Sequence, residues 1–116
     1  MVKDESEAAA GADADVFAAL AHPARRKILM RLRTGARTAS DLTADMPIGR
    51  PAVSEHLRAL RLAKLVKVER RGRKRYHYLD PRPLADVGTW LNAMLAQWTR
   101  RMDDLNALAE REGHRS

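Results

Sequence analysis

The stretch PAVSEHLRALRLAKLVKVERRGRKRY, residues 51–76, changes its hydrophobic period half-way along and so decides the fold. Apolar residues at Val53, Leu57 and Leu60 have the spacing of a helix that buries one face. Residues 65–71 then contain two valines that alternate with charged residues, which is the pattern of a β-strand. The sequence therefore predicts a helix that leads directly into a short hairpin.

Gly72 and Arg73 form the predicted turn of this hairpin, and residues 74–79 form its return strand. On the return strand His77 and Leu79 share one face, and two tyrosines share the other. The alternation alone does not decide which of these faces points toward the core.

Signals for helix ends recur in the rest of the chain. Pro23 suits the first turn of a helix, and Pro47 ends the third helix. Thr38 with Asp41 resembles a capping box, although Asp replaces the usual Glu or Gln. The predicted helices are residues 13–20, 23–33, 38–45, 51–62 and 81–111. The two helices around the turn at 46–50 form a helix-turn-helix and the hairpin forms a wing, so we expect a mainly α fold with a β-hairpin wing.

Positive charge is concentrated in the same part of the chain. The 116 residues have a formal net charge of +7, and the sequence pI is about 10.5. Residues 50–75 contain ten Lys or Arg residues and two Glu residues, so this segment carries all of the excess charge. A charge run is usually only a solvated face, but one that holds the whole imbalance is better explained by a polyanionic partner.

Composition excludes several other kinds of site. The absence of cysteine excludes disulfides, thiolate metal sites and thiol redox switches. No apolar run reaches the roughly 18–20 residues that a membrane span needs, and the N-terminal segment lacks the pattern of a signal peptide. We therefore expect a cytoplasmic protein with a disordered acidic tail at 1–12, one domain at 13–111 and a frayed tail at 112–116.

The polar face of the fourth helix lies opposite its apolar stripe. Because recognition helices read base edges mainly from their first turns, Arg50, Ser54 and Glu55 are candidates for base reading, with Arg58 next. The arginine-rich hairpin has the chemistry of a phosphate clamp or a minor-groove probe. An ordinary solvated helix surface is the competing interpretation, which the adjacent basic hairpin disfavours. The predicted DNA-binding residues are Arg50, Pro51, Ser54, Glu55, Arg58, Arg61, Arg70, Arg71, Arg73, Lys74 and Arg75.

The last helix carries an apolar stripe that is too long for so small a domain to bury. Its apolar residues recur every seven positions, as in helices that pair with a second copy. We therefore expect a homodimer through the first and last helices, with an intramolecular helix across the domain as the alternative. Trp90 and Trp98 either pack at the dimer seam or form the wall of a ligand pocket. The predicted interface residues are Phe17, Leu20, Leu84, Val87, Leu91, Met94, Trp98, Met102 and Leu105.

Four segments, taken in order, resemble the ArsR family of winged helix-turn-helix repressors. They are ALAHPARRKILMRL (19–32), GRPAVSEHLRALRLAKLV (49–66), RRGRKRYHYLDPRPLADVGTWL (70–91) and the tail at 98–108. The resemblance is greatest to the branch without metal-binding cysteines, the SdpR-like autorepressor type. It implies a homodimer, joined through the first and last helices, that binds an inverted-repeat operator, often near its own promoter.

Departures from the family pattern bear on sensing. Relatives that sense metals through a Cys-x-Cys motif carry it in the third helix, where this chain reads TASDLTADM. Other relatives use Asp and His on the last helix, where Asp86, Asp103 and Asp104 occur here without a histidine before His114. We therefore expect no metal and no other cofactor. Lys64 stands where the family often has glycine, so the fourth helix is expected to end without a left-handed glycine cap.

These observations predict a sequence-specific DNA-binding transcriptional repressor whose partners are double-stranded DNA and a second copy of itself. The sequence has no phosphate loop, nucleophile elbow or catalytic triad, so we do not expect an enzyme. His22 is expected to cap the second helix or to pack locally, and His56 to be a core or hydrogen-bonding residue. His77 lies in the wing, where it could touch phosphate. A winged-helix module that binds RNA or an acidic protein is the alternative. Release by an unknown small-molecule effector is a further alternative to simple concentration-dependent autorepression.

Overall fold

The computed structural model describes residues 14–113 of the chain, and its elements follow the predicted order. The helices are α1 (residues 14–20), α2 (Pro23–Leu32), α3 (Ala39–Ala44), α4 (Arg50–Leu62) and α5 (Arg82–Gly113), and strands β1 (Val66–Arg71) and β2 (Lys74–Leu79) lie between α4 and α5. The predicted tail at 1–12 lies outside the described residues. Of the predicted tail at 112–116, Glu112 and Gly113 belong to α5 and the rest lies outside the described residues.

The described chain divides into two compact units. The first contains the described residues up to Leu84, and the second begins at Ala85 and consists of most of α5. The first unit holds an apolar core to which α1, α2, α3, α4 and the start of β1 all contribute. Its buried residues are Val16, Ala19, Ile28, Leu29, Leu32, Leu42, Met46, Val53, Leu57, Leu60, Ala63, Leu65 and Val66. The apolar stripes predicted for the second and fourth helices are therefore confirmed.

The start of α3 is a complete capping box. The backbone N–H of Asp41 donates to Oγ1 of Thr38 over 3.1 Å, and the backbone N–H of Thr38 donates to Oδ2 of Asp41 over 3.1 Å. The backbone N–H of Thr38 is the main cause of a lowered pKa at Asp41, and the Thr38 hydroxyl adds to it. The shorter Asp side chain thus makes the reciprocal bond that Glu or Gln usually makes.

The chain adopts a left-handed backbone conformation at the end of α4, although the residue there is not a glycine. Lys64 has φ +63, and its N–H donates to the carbonyl of Arg61 over 2.9 Å. The N–H of Leu65 donates to the carbonyl of Leu60 over 3.0 Å. This pair of bonds is a Schellman motif, which satisfies helix carbonyls and turns the chain into β1. The sequence predicted an end without a left-handed glycine cap; in the structure Lys64 itself adopts the left-handed conformation.

The hairpin is antiparallel, and Arg71 lies opposite Lys74 across a two-residue loop. Gly72 is the first loop residue and has φ +62, as the type II′ turns that match strand twist require. The register places Val68 opposite His77, and His77 is buried. The face that carries His77 and Leu79 therefore points toward the core, which settles the choice that the sequence left open.

Arg37 forms an isolated β-bridge with His77 of the wing. The N–H of Arg37 donates to the carbonyl of His77 over 2.9 Å, and the N–H of His77 donates to the carbonyl of Arg37 over 2.8 Å. This bridge joins the segment before α3 to the inner edge of β2. The helix-turn-helix and the wing are consequently fixed to each other through backbone hydrogen bonds.

A buried carboxylate fixes the start of α5. Asp80 accepts from the backbone N–H of Arg82 over 3.1 Å, and its two oxygens accept from Nε and Nη2 of the same arginine over 3.0 and 2.8 Å. Nζ of Lys67 in β1 lies 3.5 Å from Oδ2 of Asp80. The side-chain bonds from Arg82 are the main reason that the pKa of Asp80 lies far below its usual value. Asp80 therefore accepts the backbone N–H of the first residue of α5 as a carboxylate whose pKa is strongly depressed.

Candidate nucleic-acid interface

The exposed face of α4 presents the residues that the sequence predicted for base reading. Arg50 is the first residue of the helix, and its buried stripe is formed by Val53, Leu57 and Leu60. Five of the predicted α4 residues are exposed, and Arg61 is half-buried near the C-terminal end. The five are Arg50, Pro51, Ser54, Glu55 and Arg58.

Two polar contacts set the orientation of α4 within its unit. Nε of Arg25 in α2 donates to Nδ1 of His56 over 3.3 Å, and the rings of His22 and His56 lie 6.1 Å apart. Burial lowers the pKa of His56, and the charges of Arg25 and His22 lower it further while Glu55 opposes them. A neutral His56 is the state that can accept from Arg25, so the pKa shift and the hydrogen bond agree. The expectation of a hydrogen-bonding or packed role for His56 is confirmed.

The first turn of α4 is also tied to α3. Nη1 of Arg50 donates to Oγ of Ser40 over 2.8 Å, and Arg50 remains exposed. Sequence reasoning missed Ser40, because no motif marks a surface serine that becomes adjacent only after α3 packs against α4.

The tip of the hairpin is strongly cationic. All five wing residues predicted to contact DNA are exposed, namely Arg70, Arg71, Arg73, Lys74 and Arg75. The strand register places Arg70 opposite Arg75, and Arg71 opposite Lys74. Like charges that face each other across two strands destabilise a hairpin. Glu69 in the same hairpin lies 3.6 Å from Arg71, and both side chains are mostly exposed, so this ion pair offsets little of the repulsion. These like-charge pairs therefore destabilise the free hairpin, and a polyanion bound at its tip would relieve their repulsion.

A cleft of about 580 Å³ lies between the start of α3, the outer face of α4 and the hairpin. It brings together six of the predicted DNA-binding residues: Arg50, Ser54, Arg61, Arg73, Lys74 and Arg75. The rest of its lining was not among the predicted DNA-binding residues, although the sequence placed His77 where it could touch phosphate; it consists of Thr38, Ala39, Ser40, Asp41, Leu57 and His77. The other predicted DNA-binding residues lie outside the lining: Pro51, Glu55, Arg58, Arg70 and Arg71.

His77 does not lie on the outer surface of the wing, where the sequence placed it to touch phosphate. His77 is only 5% exposed, because its strand face packs inward and its backbone pairs with Arg37. Burial lowers the pKa of His77, the backbone of Arg37 opposes this shift, and the charges of Arg61 and Arg75 add to it.

Comparison with known proteins identifies the family. The model of the bacterial regulatory proteins of the arsR family matches residues 22–68. The HTH-type transcriptional regulator Rv2034 of Mycobacterium tuberculosis is 40% identical over 95 residues, which cover 82% of this chain and 86% of that protein. The chain belongs to the ArsR family. The transcriptional repressor SdpR of Bacillus subtilis is 36% identical to this ArsR-family chain over 77 residues, 66% of the chain and 86% of SdpR.

Solved structures support the fold of this ArsR-family chain. An ArsR-like transcriptional regulator from Rhodococcus sp. RHA1 superposes with a TM-score of 0.70 at 31% identity, over 85% of this chain and 93% of that one. The homodimeric winged helix-turn-helix DNA-binding domain of Mb0332 from Mycobacterium bovis gives a TM-score of 0.66 over 84% of this chain and 90% of that one. At 24% identity, the second likeness shows the fold alone. The winged helix-turn-helix fold predicted from the sequence is confirmed.

Most of α5 leaves its apolar residues uncovered in the single chain of this ArsR-family protein. Leu91, Met94, Trp98, Met102 and Leu105 are exposed, Trp98 by 63%. Among the predicted interface residues outside this set, Phe17 is 40% exposed, and Leu20 and Leu84 are half-buried. Val87 is 3% exposed and so is buried within the chain itself.

Two features are absent from residues 14–113. No group of three or more His, Asp or Glu side chains there is placed to hold a metal ion. No helix in that range is long and apolar enough to cross a membrane.

Proposed function

We propose that this ArsR-family protein is a sequence-specific DNA-binding transcriptional repressor that acts as a homodimer on an inverted-repeat operator, including one at its own promoter. The observation that carries the proposal is the hairpin of facing like charges, Arg70 against Arg75 and Arg71 against Lys74, beside the exposed first turns of α4. Repulsion of this kind is relieved by neutralisation with phosphates, which is the main source of DNA affinity. SdpR, one of the relatives, bears the name of a transcriptional repressor.

In the proposed complex α4 lies in the major groove and the wing follows the adjacent backbone. The first turns of a recognition helix reach base edges, and these turns present Arg50, Ser54 and Glu55. Arginine pairs bidentately with guanine, and glutamate accepts from cytosine N4. The hydrogen bonds of Arg50 to Ser40 and of Arg25 to His56 hold the helix and its first side chain in place, so less order has to be gained on binding.

The proposed homodimer rests on the exposed face of α5. Residues 91, 94, 95, 98, 102 and 105 fall within about 100° of arc around the helix, the width of a stripe that packs against another helix. Exposed apolar area of this extent marks an interaction site, and a second copy of the helix offers the same apolar stripe in return. The Mb0332 domain is a homodimer with this fold. Binding to an inverted repeat would require the two copies of α4 in such a dimer to lie about one helical turn of DNA apart.

No thiol takes part in the proposed control, since the chain contains no cysteine. We propose that repression depends on protein concentration and includes the gene for the protein itself.

The test is to compare Arg50→Ala with Arg33→Ala on a duplex enriched from genomic DNA and on its scrambled counterpart. A bidentate arginine contributes about 1–3 kcal/mol of discrimination, so Arg50→Ala should lower the preference for the enriched duplex by about 5–150-fold. Arg33 is exposed at the end of α2 and does not line the cleft, so its removal should leave the preference unchanged. Equal loss on both duplexes for Arg50→Ala would refute its role in base reading. Preferential binding of RNA or an acidic protein over every duplex would favour the interaction module instead.

A further inference from the structure

The cleft between α3, α4 and the hairpin concentrates positive charge from elements that are distant in sequence. Five of its lining residues are cations: Arg50, Arg61, Arg73, Lys74 and Arg75. Asp41 is the one carboxylate in the lining. The hydrogen bonds from Thr38 lower the pKa of Asp41, so the Asp41 carboxylate stays ionised. Its side chain is also engaged in the capping box. A concave surface of this charge focuses the field on anions.

The lining of the cleft also includes a buried imidazole. His77 is only 5% exposed, and its Nδ1 has no hydrogen-bond partner among the described residues. This nitrogen has almost no accessible surface, so it belongs to the wall of the cleft and does not face its open space. The hydroxyl of Ser54 and the apolar side chain of Leu57 complete a lining with both polar and apolar parts.

We propose that this cleft binds a small organic phosphate or oligophosphate, and that the bound anion competes with DNA. Its volume of about 580 Å³ lies within the range of about 300–1,000 Å³ that is usual for small-molecule sites, and it exceeds what one inorganic phosphate fills. Arginine is the side chain best suited to bidentate contact with phosphate oxygens, and four of the five cations are arginines.

Competition follows from shared residues. Arg50 and Ser54 are proposed to read bases, and Arg73, Lys74 and Arg75 are proposed to contact the DNA backbone. A phosphate ester seated among these side chains neutralises the charges that would otherwise hold DNA phosphates. This second part of the inference rests on the proposed DNA function, whereas binding in the cleft does not.

The direct test uses isothermal titration of the full-length protein with inorganic pyrophosphate, without DNA and at constant ionic strength. The expected result is saturable binding that Arg61→Ala weakens about tenfold or more, since a hydrogen bond to a charged group contributes about 1.5–3 kcal/mol. Arg70→Ala is the matched control, because Arg70 belongs to the same basic hairpin but lies outside the cleft lining. It should change pyrophosphate affinity less than about twofold, as expected for a screened surface charge.

A second measurement uses the unmodified protein, so its result does not depend on whether the variants fold. In the unmodified protein, pyrophosphate should shift the side-chain nitrogen resonances of His77 more than those of His22, which is exposed and outside the lining. The absence of saturable binding, or equal weakening by Arg61→Ala and Arg70→Ala, would overturn the proposal. So would equal perturbation of the two histidines.

A competition experiment with DNA distinguishes binding of a free anion in the cleft from binding of the phosphates of DNA. Pyrophosphate should displace a labelled operator duplex at concentrations where sodium chloride of equal ionic strength does not. If Arg61→Ala weakens DNA binding but pyrophosphate neither binds nor displaces, the cleft serves DNA phosphates only and the proposed small anion is refuted. Failure of the repressor function would appear differently, as equal affinity for operator and scrambled DNA in the absence of pyrophosphate.

Discussion

Replacement of Lys64 by glycine should stabilise the protein, because Lys64 occupies a backbone conformation that glycine adopts without strain. Lys64 has φ +63 at the end of α4, where its N–H and that of Leu65 close the Schellman motif. For a residue with a Cβ the left-handed conformation costs about 1–2 kcal/mol. Glycine gives back about 0.5–1 kcal/mol of this through the greater freedom of the unfolded chain.

The expected net effect of Lys64→Gly is a gain of about 1 kcal/mol in the free energy of unfolding, or about 4–8 °C in Tm for a small domain. Lys64→Ala is the matched control, since it removes the same charge but keeps the Cβ and should leave Tm within about 2 °C of the original. Thermal unfolding followed by circular dichroism, at one fixed protein concentration, measures both. Equal stabilisation by the glycine and alanine variants would refute the conformational explanation and point to removal of charge.

Three further predictions concern the wing, the start of α5 and the dimer. In a dimer that carries two copies of Arg73, Arg73→Ala should reduce the slope of log affinity against log salt concentration by about 1.8, with operator preference retained, as measured by anisotropy over a salt series. Asp80→Asn should lower Tm at neutral pH because it removes the charged partner of Arg82 and Lys67. Since the pKa of Asp80 is depressed in the folded state, this stabilisation is present above the unfolded value near 3.8 and fades as pH falls below it, so the Tm difference should shrink there. Trp98→Glu should convert a dimer into a protomer of 13.0 kDa in light scattering, whereas Ala93→Glu on the opposite side of α5 should not.

A specific result would contradict each of these three predictions. An unchanged salt slope for Arg73→Ala would remove that residue from the phosphate contacts. A Tm difference for Asp80→Asn that persists undiminished at acidic pH would show that the loss is not electrostatic. Dissociation by both α5 variants would indicate that added charge, rather than loss of the apolar stripe, separates the protomers.

Much of the fold follows from local signals in the sequence. Pro23 at a first turn, the capping box of Thr38 and Asp41, and Gly72 in the hairpin each impose a local geometry that the structure adopts. The stripe of Val53, Leu57 and Leu60 then fixes which face of α4 is buried, and with it which residues are left exposed. For this reason five of the six predicted α4 residues are exposed, whereas Arg61 is half-buried.

The missed features depend on packing between elements. Both faces of β2 carry large residues, so alternation did not reveal that His77 points inward, and the bridge from Arg37 that fixes it has no sequence signal. The contact between Ser40 and Arg50 arises because α3 packs against α4. The left-handed Lys64 shows that surrounding hydrogen bonds can impose a conformation that local preference disfavours.

The most direct test of the DNA-binding proposal is fluorescence anisotropy of the purified protein with the duplex upstream of its own gene and with a scrambled duplex of the same composition. Both titrations are made at one moderate salt concentration, since phosphate contacts make any single affinity depend on salt. The proposed autorepressor should bind the native duplex at least about a hundredfold more tightly than the scrambled one. Equal affinity for the two duplexes would contradict sequence-specific repression of its own promoter.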